Sequence, residues 1–158
     1  LQQYLAQNPE LPHDTCFWVS DFVIRQGAER GADVDRLGEC VCAVGHTVLL
    51  MEPWPLCRAY CIKELFHTQA SGARFAMVMT AKQQRTFEQA LLDDFRSIMM
   101  NLSSVDVRTA KCRKEEEQEA IVRELGEGVG LAEGNKAVVG LLWDALAAQG
   151  QAALARLP

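Results

Sequence analysis

The sequence lacks several patterns that identify common functional classes. No apolar run reaches 18 residues, the length that a membrane-spanning helix needs. The chain contains no G-x-G-x-x-G, no G-x-x-x-x-G-K-[ST] and no G-x-S-x-G. These absences disfavour dinucleotide-fold dehydrogenases, P-loop enzymes and serine hydrolases. The N-terminal segment LQQYLAQNPELPHD has neither a basic stretch nor an apolar core, so we expect no signal peptide.

The sequence also lacks an excess of basic residues and lacks cysteine pairs at a spacing typical of metal ligands. Sixteen basic residues against 21 acidic ones give a net charge of −5, which disfavours nucleic acid as a general partner. The six cysteines are Cys16, Cys40, Cys42, Cys57, Cys61 and Cys112. None of them forms a C-x-x-C pair, so we expect no metal site. Free cysteines within apolar runs favour a reducing, cytoplasmic compartment.

The pattern that is present is an alternation of strands and helices. The 158 residues, 49% of them hydrophobic, suffice for one domain with a sizeable core. Strands are predicted at 15–24, 46–51 and 73–79, and a weaker one at 104–109. Helices are predicted at 1–7, 34–43, 56–66 and 80–101, from about 111 to 125, and from about 135 onwards. Such alternation predicts an α/β fold with an open parallel sheet and helices on both faces.

The predicted helix at 56–66 carries the most informative carboxylate. Its predicted inner face consists of Leu56, Ala59, Tyr60 and Leu65. Arg58 and Lys63 are predicted to point elsewhere. Glu64 falls in the last turn, where the negative end of the helix dipole disfavours a carboxylate, so it is a candidate functional residue. The alternative is a solvated glutamate paired with Lys63 or Arg58.

Four short segments together resemble the Toll/interleukin-1 receptor (TIR) domain. RAYCIKEL at 58–65 is similar to the W-C-x-x-E-L helix of that family, with Tyr60 where the family usually has Trp. HTVLLM at 46–51 resembles the strand before that helix. FWVSDF at 17–22, followed by a Gly-containing loop, resembles the second TIR strand and its BB loop, and RFAMVM at 74–79 resembles the fourth strand.

The same segments also resemble the fungal heterokaryon-incompatibility (HET) domain. They look closest to TIR-like modules of large eukaryotic proteins. The resemblance covers about half the chain and implies a flavodoxin-like sheet with strand order 2-1-3-4-5. It implies one TIR-like domain over residues 1–158. Because no segment here matches the first, central TIR strand, we expect the domain to lack that strand.

The resemblance also implies a chemistry. In TIR domains that cleave NAD, the glutamate of this helix is catalytic, and Glu64 matches it. The chain would then be an NAD nucleosidase (NADase), a hydrolase with NAD as substrate and no cofactor. Cleaving the nicotinamide–ribose bond develops oxocarbenium character on the ribose, which a nearby carboxylate stabilises.

The remaining site residues are expected near Glu64, in a cleft at the C-terminal edge of the sheet. The predicted substrate-binding residues are Asp21, Phe22, Trp54, Arg58 and Tyr60. The aromatic rings among them would stack on nicotinamide or adenine, and Arg58 would bind phosphate.

Two alternatives remain open. A non-catalytic signalling or immunity module would self-associate as a homo-oligomer through the loop at 25–33 and adjoining helices. In that case Glu64 would be solvated or salt-bridged, with no pocket beside it. A binder of a nucleotide or cyclic-nucleotide derivative would use the same cleft without cleavage. None of these three functional hypotheses involves a metal, a nucleic acid or a membrane.

Overall fold

The computed structural model describes residues 2–19, 34–51 and 55–155 and shows a mixed α/β arrangement. Its two strands are β1 (His46–Leu50) and β2 (Arg74–Val78). The helices in chain order are α1 (Gln2–Gln7), α2 (Leu37–Val44), α3 (Ala59–Ser71), α4 (Ala81–Asp93), α5 (Phe95–Ser103), α6 (Glu115–Glu127) and α7 (Leu131–Leu154). The predicted α/β class is therefore confirmed.

The two strands are parallel neighbours, and α3 is the crossover between them. His46 pairs with Arg74 and Leu50 with Val78. The ladder extends past the strand end, because the Met51 N–H donates to the Val78 carbonyl at 2.8 Å. The strands predicted at 46–51 and 73–79 are thus confirmed. Parallel strands need a long crossover, and a helix commonly supplies it.

Helix α3 differs from its prediction at both ends. A short 3-10 helix, Pro55–Cys57, precedes it, and α3 itself begins at Ala59. It continues to Ser71, because the first residue able to end it easily is Gly72, which has φ 67°. Glu64 consequently lies in the middle of the helix. The argument that the helix dipole disfavours its carboxylate is therefore wrong.

The core forms where α3, α6 and α7 pack together beside the sheet. Its buried members include Ile62 and Leu65 of α3, Ile121 of α6, and Val138 and Leu142 of α7. Met77 and Met79 join the same cluster from β2 and the residue after it. The Gln149 side chain also ties α7 to β2 by donating to the Met77 carbonyl at 3.2 Å.

The strand predicted at 15–24 is absent from its described part, residues 15–19, which have no regular structure. Residues 20–24 lie outside the described chain. A local turn competes at the start, where the N–H and hydroxyl of Thr15 both donate to the Pro12 carbonyl. The Phe17 ring then packs edge-on against the Tyr4 ring.

The weak strand predicted at 104–109 is wrong. The segment is a turn in which the Asp106 carbonyl accepts the N–H groups of Thr109 and Ala110 at 3.1 and 3.0 Å. Val105 and Val107 are nevertheless both buried. Alternating burial can thus arise from a turn as well as from a strand.

The helix predicted from 80 to 101 is two helices. Thr80 caps α4 with a capping box in which it exchanges hydrogen bonds with Gln83. The helix breaks at Asp94, whose carboxylate accepts the Ser97 N–H at 3.2 Å and so caps α5.

The final helix, α7, begins at Leu131, four residues before its predicted start. It is the one helix of the described chain whose length and mean hydropathy of 1.2 would allow it to cross a membrane. Val138, Leu142 and Leu146 nevertheless form a stripe on α7 that is buried in the protein core.

Candidate functional site

A cavity of about 480 Å³ lies between β1, α2 and the N-terminal segment. Most of its wall is apolar, and the wall includes Glu64 of α3. Its lining residues are Tyr4, Leu11, Thr15, Cys16, Phe17, Trp18, Val19, Cys40, Val41, Val44, His46, Thr47, Val48, Leu50, Glu64 and Val78. Cavities of this size are typical of small-molecule sites.

Glu64 is the one carboxylate among these lining residues, and it is half-buried. Two threonines hold its helix against β1. The buried Thr68 hydroxyl donates to the Glu64 carbonyl at 2.7 Å and also lies 2.7 Å from the Thr47 hydroxyl. This chain of hydrogen bonds fixes the position of the Glu64 backbone relative to the strand.

His46 lies on the same wall, at the start of β1. Its Nε2 is 3.3 Å from the hydroxyl of Tyr4, which comes from α1. Burial lowers the pKa of His46 below its ordinary value, and the nearby Arg74 cation lowers it further. The imidazole is therefore neutral at pH 7, and Glu64 is the one acidic residue of the described wall.

Three aromatic rings complete the wall on the side of the N-terminal segment. Tyr4 and Phe17 meet edge to face with ring centroids 6.2 Å apart, and Trp18 follows them in the chain. The described wall contains no Lys or Arg. Such a site suits a flat, apolar ligand part with a positive charge, rather than a phosphate group.

The structure brings the predicted site residues together only in part. Glu64 lines the cavity, whereas Arg58 is exposed at the start of α3, where its backbone bridges to Lys111. Tyr60 is buried, and its hydroxyl donates to a Glu117 carboxylate oxygen at 2.5 Å. Neither Arg58 nor Tyr60 belongs to the cavity wall.

Three further predicted residues, Asp21, Phe22 and Trp54, lie outside the described residues. The same holds for the loop at 25–33. Their predicted contacts with substrate or with a second copy therefore stay predictions.

A second polar cluster joins α3 to α6. The prediction that Lys63 points away from the inner face is wrong, because only 1% of its side chain is exposed. Its ammonium lies 2.6 Å from Glu124 Oε2 and 3.1 Å from the Val34 carbonyl. The other oxygen of Glu124 lies 3.1 Å from His67 Nε2. The long side chain of Lys63 thus carries its charge through the apolar face to these partners.

Sequence reasoning did not anticipate Tyr4, His46, Phe17 and Trp18 as members of the site. Tyr4 and His46 are 42 positions apart, and no local pattern connects them. Phe17 and Trp18 were assigned to a buried strand. Within the described ranges, no three His, Cys, Asp or Glu side chains are grouped so that they could hold a metal ion.

No protein-family model, curated protein or solved structure matches this chain.

Proposed function

We propose that this chain is a TIR-like NAD nucleosidase that cleaves the nicotinamide–ribose bond with Glu64 as its catalytic residue. The observation that supports it is the position of Glu64. The motif singled this residue out, and it lines a cavity of about 480 Å³. The alternative of a non-catalytic signalling module predicts no pocket beside Glu64, so the cavity favours the enzyme.

The nicotinamide end of NAD suits this cavity. The ring of oxidised nicotinamide is flat and positively charged, and Glu64 is the acidic residue of the described wall. Tyr4, Phe17 and Trp18 provide aromatic surfaces for such a ring. Because the described wall has no cation, we expect the pyrophosphate to extend out of the apolar part of the cavity.

The chemistry follows from a carboxylate beside the ribose. When the glycosidic bond breaks, its electron pair passes to the ring nitrogen, and nicotinamide leaves as a neutral molecule. The ribose carbon becomes positively charged, and the Glu64 carboxylate stabilises that charge in a site of low polarity. Water then adds to this carbon and loses a proton to solvent, which gives ADP-ribose.

The wider consequences of the resemblance belong to the same proposal. They are a flavodoxin-like sheet, a cytoplasmic location and a role in signalling or immunity through self-association. The parallel pairing of β1 with β2 across α3 is consistent with adjacent third and fourth strands of that topology.

The test is nicotinamide release from NAD by the purified chain at high protein concentration. We expect Glu64→Ala to lower the rate by at least about 100-fold, the scale of losing one electrostatic stabiliser. Glu119→Ala, a change of an exposed glutamate on α6, is the matched control and should leave the rate unchanged. A rate that survives Glu64→Ala refutes the role of Glu64.

A binder that does not cleave NAD is the second candidate, because the cavity accommodates a ligand whether or not a reaction follows. Calorimetric titration with NAD separates the two. Binding that Glu64→Ala weakens, without nicotinamide release, favours the binder over the enzyme.

A further inference from the structure

An exposed apolar surface lies along the seam where α7 meets α5 and the end of α4. Its five members are each between 40% and 67% exposed: Leu92, Phe95, Met99, Trp143 and Leu154. The Phe95 and Trp143 rings join the two sides, with centroids 6.2 Å apart. We call these five residues the α5–α7 surface.

The α5–α7 surface is continuous along the seam. Leu91, at the end of α4, packs against Gly150 of α7. A methyl carbon of Leu91 is 3.6 Å from the position that a Cβ on Gly150 would occupy. Leu154 lies 11 residues after Trp143, about three helical turns, and therefore on the same side of α7. The apolar residues therefore run from Met99 past the ring pair to Leu154.

The exposed apolar area of this surface matches the apolar part of one side of a dimer interface. The five side chains expose on the order of 500 Å² of apolar area, near the upper end for patches on monomers. A standard interface covers about 800 Å² on each partner. About 60% of an interface is apolar. The α5–α7 surface supplies that apolar share.

We propose that two copies of this chain associate through the α5–α7 surface around a two-fold axis that runs along the seam. This symmetry places α5 of one copy against α7 of the other and clusters the two ring pairs at the centre. Arg96 follows Phe95 and Asp144 follows Trp143, and both are exposed. We expect the same rotation to bring Arg96 of each copy near Asp144 of the other, which carries the opposite charge.

A membrane surface fits these observations less well. Helix α7 is long and apolar enough to attract a bilayer, but Asp93, Asp94 and Asp144 border the α5–α7 surface and the chain carries a net charge of −5. Anionic headgroups would repel this acidic border. Full insertion of α7 would also remove Val138 and Leu142 from the core.

The dimer is independent of the proposed NAD chemistry. No residue of the α5–α7 surface lines the cavity beside Glu64. Loss of one property therefore leaves the other intact, and the two experiments are separate.

The test is sedimentation equilibrium of the whole chain from about 1 μM to about 500 μM, the range that measures micromolar affinity. We expect the mass to rise from 17.5 kDa toward twice that value. Trp143→Glu should raise the dimer Kd by at least about 30-fold, as truncation of a central aromatic residue does. Val129→Glu adds the same charge at an exposed apolar residue outside the surface and should leave the Kd unchanged.

A charge exchange tests the pairing without removing an apolar residue. Arg96→Asp and Asp144→Arg should each weaken the dimer, and the double variant should restore it. Circular dichroism of each single variant, compared with that of the parent protein, shows whether it folds.

Three outcomes overturn the proposal: a monomer at every concentration, a dimer that Trp143→Glu leaves unchanged, and Trp143-dependent flotation of the monomer with vesicles of anionic phospholipid.

Discussion

Glu124→Ala should destabilise the protein more than Lys63→Met, although these two side chains form one ion pair. In the native structure the Lys63 ammonium is buried and contacts Glu124 at 2.6 Å and the Val34 carbonyl at 3.1 Å. The Glu124 side chain is 42% exposed. The two charges therefore differ in how much solvation they regain when the partner is removed.

The expected magnitudes follow from this asymmetry. Glu124→Ala leaves a buried ammonium with one carbonyl, and breaking a fully buried pair costs about 3–5 kcal/mol. Because the Glu124 side is partly exposed and water can reach it, we expect about 2–3 kcal/mol here. Lys63→Met retains the buried methylenes and removes the charge. The Val34 carbonyl then loses its hydrogen-bond donor, which costs about 1 kcal/mol. The variant no longer has to bury an ammonium, and this gain offsets that cost.

Urea unfolding followed by circular dichroism measures these free energies. The free energy of unfolding of the double variant Lys63→Met/Glu124→Ala should lie within about 0.5 kcal/mol of that of Lys63→Met, because the double variant contains no buried ammonium that has lost its carboxylate. Glu119→Ala, on the exposed side of the same helix, should change the stability by less than about 0.5 kcal/mol. A cost of Lys63→Met equal to or above that of Glu124→Ala would refute the reasoning.

Three further predictions concern stability. Gly38→Ala should destabilise by about 1–3 kcal/mol in urea unfolding, because a Cβ on Gly38 would lie 2.6 Å from the His67 ring. Asn135→Ala should cost about 1–3 kcal/mol in the same assay, because the Val107 N–H loses the Asn135 oxygen that accepts it at 3.1 Å. Stability should fall as the pH drops below 6.5 toward the lowered folded pKa of His46, because in that window the unfolded chain takes up a proton that the partly buried imidazole resists. His46→Asn should remove this part of the pH dependence.

Each of these changes has a matched control. Gly140→Ala, with no atom within 4 Å of the new Cβ, should stabilise α7 by about 0.5–1 kcal/mol, and an equal gain at Gly38 would contradict the clash. Lys136→Ala, exposed beside Asn135, should be nearly neutral. His13→Asn, the same substitution at an exposed position, is the control for His46→Asn.

Local patterns predicted those elements whose signals lie within a few residues. Thr80 caps α4, in a capping box with Gln83, and Gly45 ends α2 with φ 67°. The same type of signal failed where a turn competed with it. Asp106 satisfies N–H groups with its own carbonyl and carboxylate, so the alternation of Val105 and Val107 produces a turn and no strand.

The candidate site also combines a residue that a local motif predicted with contacts that only the tertiary structure shows. The helical motif selected Glu64, and the structure adds a cavity beside it. The partners expected from proximity in sequence did not follow, because Tyr60 bonds to Glu117, which is 57 positions away. Tyr60 and Glu64 are four residues apart on α3, so the helical period places them on nearly the same side. The contact of Tyr60 with α6 depends on how the two helices pack, which the period of one helix does not give.

The sequence by itself determined the α/β class, the two parallel strands and the choice of Glu64, because these depend on short periodic patterns and on the residues that interrupt them. Only the tertiary structure decided that Tyr4 and His46 share a wall with Glu64 and that Lys63 is buried against Glu124. These contacts join residues 42 to 61 positions apart. Their formation depends on how whole elements pack to bury apolar area, and no local period of the chain encodes that packing.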